Sequence, residues 1–202
     1  IKKGQLPILV IGIIAVLIIA VILFVNSIRH FEYENLDFNV EKFGEIVVYR
    51  TSIPLYAKTK VSLITGKAVS ERFADYNIFI RNDPRKLDNI AFDGDLVLLH
   101  NMVINTSGDF NCNGDGVIAI ANMAKLFTTL GIEVIKDENA TCDDKGRYMF
   151  LQIQEGDLSG IEKTGNGCYE LTVNNCEILE VTERFMIETL LKVKGEGLKP
   201  EL

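Results

Sequence analysis

Residues 6–25, LPILVIGIIAVLIIAVILFV, constrain this chain more than any other part of it. Eighteen of those 20 residues are apolar, only Pro7 and Gly12 break the run, and no side chain in it is charged. At about 1.5 Å of rise per residue, such a segment spans roughly 30 Å as a helix, the thickness of a bilayer hydrocarbon core. Within lipid, a single segment satisfies its backbone polar groups only as a helix. The run therefore predicts a helix over 6–25, lying in a membrane or in the core of a filament. Its exit reads Phe24-Val25-Asn26-Ser27, without the small-residue pattern of a signal-peptidase site, so an uncleaved anchor is expected.

Charge orients the segment. Of 21 basic and 28 acidic residues, only Lys2 and Lys3 precede the run, which leaves −9 for everything after it. Residues 1–5 then form a basic cytoplasmic flank, and the positive-inside rule places the following domain outside the cytoplasm, at the cell membrane or cell surface. An acidic domain is a poor match for phosphate backbones, so nucleic acid is excluded as a partner. The partners expected are membrane lipid and copies of the same apolar helix.

The amino-terminal residues add a resemblance. Lys2-Lys3-Gly4-Gln5 followed directly by an apolar helix resembles the class III signal peptide of archaeal type IV pilin-like proteins. The resemblance covers about the first 25 residues. It implies leader cleavage between Gly4 and Gln5 and packing of the helix into a filament core. An ordinary signal anchor with a basic flank accounts for the same residues, and both readings stay open.

Four cysteines, Cys112, Cys142, Cys168 and Cys176, in a domain outside the membrane predict two disulfides. Cys168 and Cys176 bracket a predicted extended strand and so cannot pair. If the strands predicted over 147–153 and 169–173 are antiparallel neighbours, Cys142 meets Cys176 and Cys112 is left for Cys168. Asn105 and Asn139 head N-x-[ST] sequons, candidate glycosylation sites.

Residues 26–43, with scattered acidic and aromatic side chains, read as a stalk. Runs rich in Val, Ile, Leu and Tyr predict strands over 45–51, 60–65, 76–81, 95–104, 132–135, 147–153 and 169–173. Helical spacing of apolar residues marks 117–130, and Asn174 with Glu177 reads as a capping box opening a second helix that runs to about residue 193. The fold expected is α+β: the apolar helix followed by a disulfide-stabilised domain over 44–194, with six or seven strands and two helices, and a flexible tail over 195–202.

Chemistry is sparse. Asn111-Cys112-Asn113-Gly114-Asp115-Gly116-Val117 resembles a calcium loop of EF-hand and dockerin-type modules. On that register Asn111, Asn113, Asp115, the Val117 carbonyl and Asn122 are the ligands. Only one of them is a carboxylate, and a plain NGDG turn opening a helix explains the same residues. No nucleophile elbow is present, and the two histidines, His30 and His100, stand in no catalytic motif. A non-enzymatic surface protein is expected, with no cofactor apart from a possible calcium ion. It would be either a pilin-like filament subunit or a single-pass anchored ligand-binding or accessory protein.

Overall fold

The computed structural model describes residues 6–56, 60–61, 68–69, 72–143 and 145–196, the side chains of 6–11, 22, 25–26, 60–61, 68–69 and 72–73 excepted. Residues 1–5, 57–59, 62–67, 70–71, 144 and 197–202 lie outside it, and with them the Gly4–Gln5 cleavage position and most of the predicted tail. The apolar run forms one helix, α1 (Leu6–Arg29), 24 residues and about 36 Å long.

The segment read as a stalk is not one. The helix continues to Arg29, and β1 (His30–Tyr33) and β2 (Leu36–Phe43) follow at once as a hairpin. Glu34 and Asn35 form its two-residue turn, both with positive φ, the backbone that matches strand twist in tight hairpins. Leu36 and Phe38 alternate into the core while Asp37 stays outside. Next come β3 (Ile46–Tyr56), the short strands β4 (Lys60–Val61) and β5 (Ala68–Val69), and β6 (Arg72–Ile80). One antiparallel sheet has the order β1-β2-β3-β6, and β4 pairs with β5 alone.

After a 3-10 turn at Pro84–Asn89 come β7 (Ala91–Asp93), β8 (Asn101–Ser107), α2 (Asp115–Thr129), β9 (Glu133–Ile135), β10 (Met149–Glu155), β11 (Gly160–Gly165), β12 (Cys168–Val173) and α3 (Ile178–Gly195). Their sheet has the order β7-β11-β12-β10-β8-β9. Strands β9, β8, β10 and β12 are mutually parallel, and β11 is antiparallel to β12. The molecule is thus a mixed α/β fold with two sheets and two disulfides. The strand expected over 95–104 begins only at Asn101, and exposed His100 precedes it rather than lying in it.

One apolar core joins both sheets through the helices. Met102, Met149, Leu151, Ile153, Tyr169 and Leu171 point from the six-stranded sheet towards α2 and α3, while Phe38, Ile53, Ile78 and Ile80 enter the same core from the four-stranded one. The ring of Phe185 on α3 lies 5.3 Å from Tyr169 and 6.1 Å from both Phe92 and Phe127. The capping box expected at α3 does not form. Instead Ser159 Oγ donates to the Glu177 carboxylate at 2.6 Å and accepts from the Asn174 amide at 2.9 Å, occupying both proposed capping partners.

The disulfides are Cys112–Cys176 and Cys142–Cys168, with Cα atoms 5.5 and 5.6 Å apart. Cys168 and Cys176 do not pair, as the extended strand required. The expected pairing of Cys142 with Cys176 and Cys112 with Cys168 is overturned because β10 and β12 are parallel. Phe150 sits opposite Cys168, so the chain before β10 meets the start of β12, not its end. The antiparallel partner of β12 is β11, in the stretch between the two predicted strands for which no element is predicted. On the loop-entropy account, closing 64 and 26 residues restricts the unfolded chain by roughly 3 to 4 kcal/mol each.

Candidate functional site

A helix that is apolar on every side normally lies in a protein core or in lipid. Among the described residues, helix α1 has no protein core around it. Ile13, Ile14, Val16, Leu17, Ile18, Ile19, Val21, Leu23, Phe24 and Ile28 are all more than half exposed, and they point around the full circumference of the helix. Its contacts with the domain are with β1 and β2, where the chain leaves it. The described side chains of α1 are those of 12–21, 23–24 and 27–29. Among the described residues no helix is long and apolar enough to cross a membrane.

The four-stranded sheet carries a second exposed apolar patch. Phe43, Ile46, Val47 and Phe79 are exposed, and the Phe43 and Phe79 rings meet edge to face at 6.2 Å. In sequence, Phe43 falls in the segment read as a stalk and Phe79 in a predicted strand, and nothing local joins the two. The local signal was Phe43-Gly44-Glu45-Ile46, a two-residue turn with Gly44 at φ +63 between apolar neighbours. Phe79, 36 positions away in sequence, carries no such signal.

The residues of the proposed calcium loop do not fit a calcium ion. Asp115, the only carboxylate among them, accepts from the Arg81 guanidinium at 3.1 Å. Helix α2 begins at Asp115, so the Val117 carbonyl lies along the helix axis in its first turn rather than turned back into a ligand loop. Asn122 lies two turns further on, lining a small cleft with Tyr76, Phe79 and Lys125. The glycines have packing reasons instead. Gly114 is left-handed at φ +98, and a Cβ on Gly116 would collide with the Phe110 carbonyl oxygen. Among the described residues no group of three or more His, Cys, Asp or Glu is placed to hold a metal.

The two sequons differ in access. Asn105 is half-buried on β8, and its Nδ2, the atom a glycan would occupy, donates to the Ala140 carbonyl at 3.2 Å. Asn139 is exposed in the turn after β9.

The most unusual titratable group is Glu183 on α3, which is fully buried. Its carboxylate accepts from the Arg81 amide at 2.6 Å and from the Asn82 amide and side chain, each at 2.9 Å. Burial outweighs these hydrogen bonds and pushes its pKa up to about 7. The group ties the middle of α3 to the chain leaving β6, so its place is structural.

No protein-family model, curated protein or solved structure matches this chain. The functional reading therefore rests on the molecule's own surfaces.

Proposed function

We propose that this chain is a non-enzymatic surface protein in which α1 is embedded in a lipid bilayer and holds the α/β domain outside the cytoplasm. The observation that carries this is the full-circumference apolar exposure of the described side chains of α1. The sequence supports it, since residues 8–25 contain no charge and Lys2 and Lys3 flank the run on the side that the positive-inside rule assigns to the cytoplasm. Protease added to intact cells should remove the domain beyond Asn26, while α1 stays with membranes through alkaline extraction. A domain protected until lysis, or a full-length chain in the soluble fraction, refutes the reading.

A second reading is favoured by one specific feature, the Lys2-Lys3-Gly4-Gln5 sequence directly before the helix. It is similar to the leader of archaeal type IV pilin-like proteins, and on this reading α1 leaves the bilayer to pack against copies of itself. Replacing Gly4 with Phe should then block processing and abolish surface filaments. Filaments unchanged by that substitution, or absent from the parent cells, leave the anchor alone.

A further inference from the structure

We propose that the β2–β3 hairpin tip is a second membrane contact, inserting Phe43, Ile46 and Val47 into the interface of the bilayer that holds α1; this rests on the anchor reading above.

The argument begins with register. Helix α1 ends at Arg29, and His30, the first residue of β1, pairs with Asn39 in the middle of β2. Strand β2 runs antiparallel to β1 and continues four residues past that point, to Phe43. At about 3.3 Å per residue, the turn reaches roughly 13 Å back beyond the level where α1 joins the sheet. Helix α1 contacts both strands of the first hairpin, β1 and β2, at the end where the chain enters the sheet. The tip is thus the part of the domain carried back towards the layer that receives α1.

Its chemistry suits that place. Phe43 pairs across the turn with Ile46, and Phe79 lies behind them on β6, opposite Arg50 of β3. Phe43 is 57% exposed and Ile46 48%, although other residues of the same two strands, Leu36, Phe38, Val48 and Ile53, are buried. Lys42, exposed and next to Phe43 in sequence, can reach phosphates with its charged end while its stem lies along apolar surface. Glu45 in the turn limits the depth. A carboxylate is costly in hydrocarbon, so the tip rests at the boundary of headgroups and acyl chains rather than crossing it. Two contacts, a helix and a hairpin, would fix the tilt of the domain on the surface, which one helix alone leaves free.

The chain contains no tryptophan, so each introduced one reports alone. The full-length protein carrying Phe43→Trp or Ile46→Trp is reconstituted in phosphatidylcholine vesicles, either plain or brominated near the glycerol end of the acyl chains. Leu23→Trp in α1 serves as the reference inside lipid. Leu158→Trp, in the exposed loop after β10, serves as the reference in water. The tip variants should lose about two-fold of their emission in brominated vesicles, as Leu23→Trp does, with Leu158→Trp unchanged. Quenching at position 23 with none at 43 or 46 overturns the hairpin contact and leaves the anchor standing. Absence of quenching at position 23 overturns both. Unquenched tip emission that shifts to the blue as the protein-to-lipid ratio rises shows a second copy over the tip, and this also overturns the lipid contact. Either tip variant suffices if the other fails to fold.

Discussion

Helices α1 and α3 invert the usual relation between hydropathy and burial. In α1 the described apolar side chains stand exposed from Ile13 to Ile28. In α3, Thr182, Glu183 and Thr189 are buried along with Phe185, Met186, Ile187 and Leu190. The polar members of α3 are tolerated because each is satisfied. Thr182 and Thr189 return their hydroxyls to carbonyls one turn earlier, and Glu183 collects three donors from Arg81 and Asn82. What differs between the helices is the partner. Helix α2, the turn at Pro84–Asn89 and the six-stranded sheet close over α3, whereas among the described residues the sides of α1 stay open. Burial in this molecule follows topology, and among the described residues the apolar surface of α1 stays open.

The sharpest test removes the aromatic centre of the buried helix. Phe185→Ala withdraws a ring from contact with Phe92, Phe127 and Tyr169, and a cavity remains because those residues are held by two elements of sheet and by α2. The domain should lose about 3–5 kcal/mol of unfolding free energy, measured by denaturant titration with the disulfides intact. A loss below about 1 kcal/mol would show that α3 is not the centre of the core and that the contrast with α1 is misdrawn.

Charge gives an intermediate effect inside the same helix. The Glu183 pKa is raised from an ordinary 4.5 to about 7. Below pH 4.5 both folded and unfolded chains carry the proton, and the fold bears no penalty. As pH rises from 4.5 to 7 the unfolded chain ionises first, so stability falls, by roughly 3 kcal/mol at most from this residue, and is level above pH 7. Unfolding midpoints at pH 5 and pH 8 measure that slope. In Glu183→Gln the slope should vanish, at the cost of one donor of the 81–82 turn facing an amide NH2. A slope that survives the substitution assigns the dependence to another group.

The sequence made some of this contrast readable and hid the rest for physical reasons. The apolar run is visible because helix length and absence of charge are local properties, and α2 shows its period through Ile120, Met123 and Phe127. Phe185 and Leu190 mark α3, although the residues that begin the helix misled. Asn174 and Glu177 have the spacing of a cap, but Ser159, 15 residues before Asn174, takes both. Strand β11 escaped notice because Ile161 is its one fully buried side chain, between flanking glycines. Missing that strand turned the parallel pair β10 and β12 into an antiparallel one, and the disulfide pairing followed the error. The exposed tip was hidden for another reason. Phe43 and Phe79 become neighbours only through the registers of β2 with β3 and of β3 with β6.

The smallest expected effect completes the contrast between the helices. Leu17 is 59% exposed in the middle of α1, whereas Phe185 has no exposure at all. If α1 finds its partner outside the domain, Leu17→Ala removes apolar area that the domain's folding never buries. The unfolding free energy of the α/β domain, followed in detergent micelles by its own near-ultraviolet tyrosine signal, should then change by less than about 0.5 kcal/mol. The same substitution trims the apolar face presented to lipid without adding a charge, so membrane retention should persist. A loss of several kcal/mol at Leu17 would mean that α1 folds back onto the domain in solution. In that case the exposure of α1 would no longer argue for lipid or for copies of the chain, and the two helices would differ only in sequence.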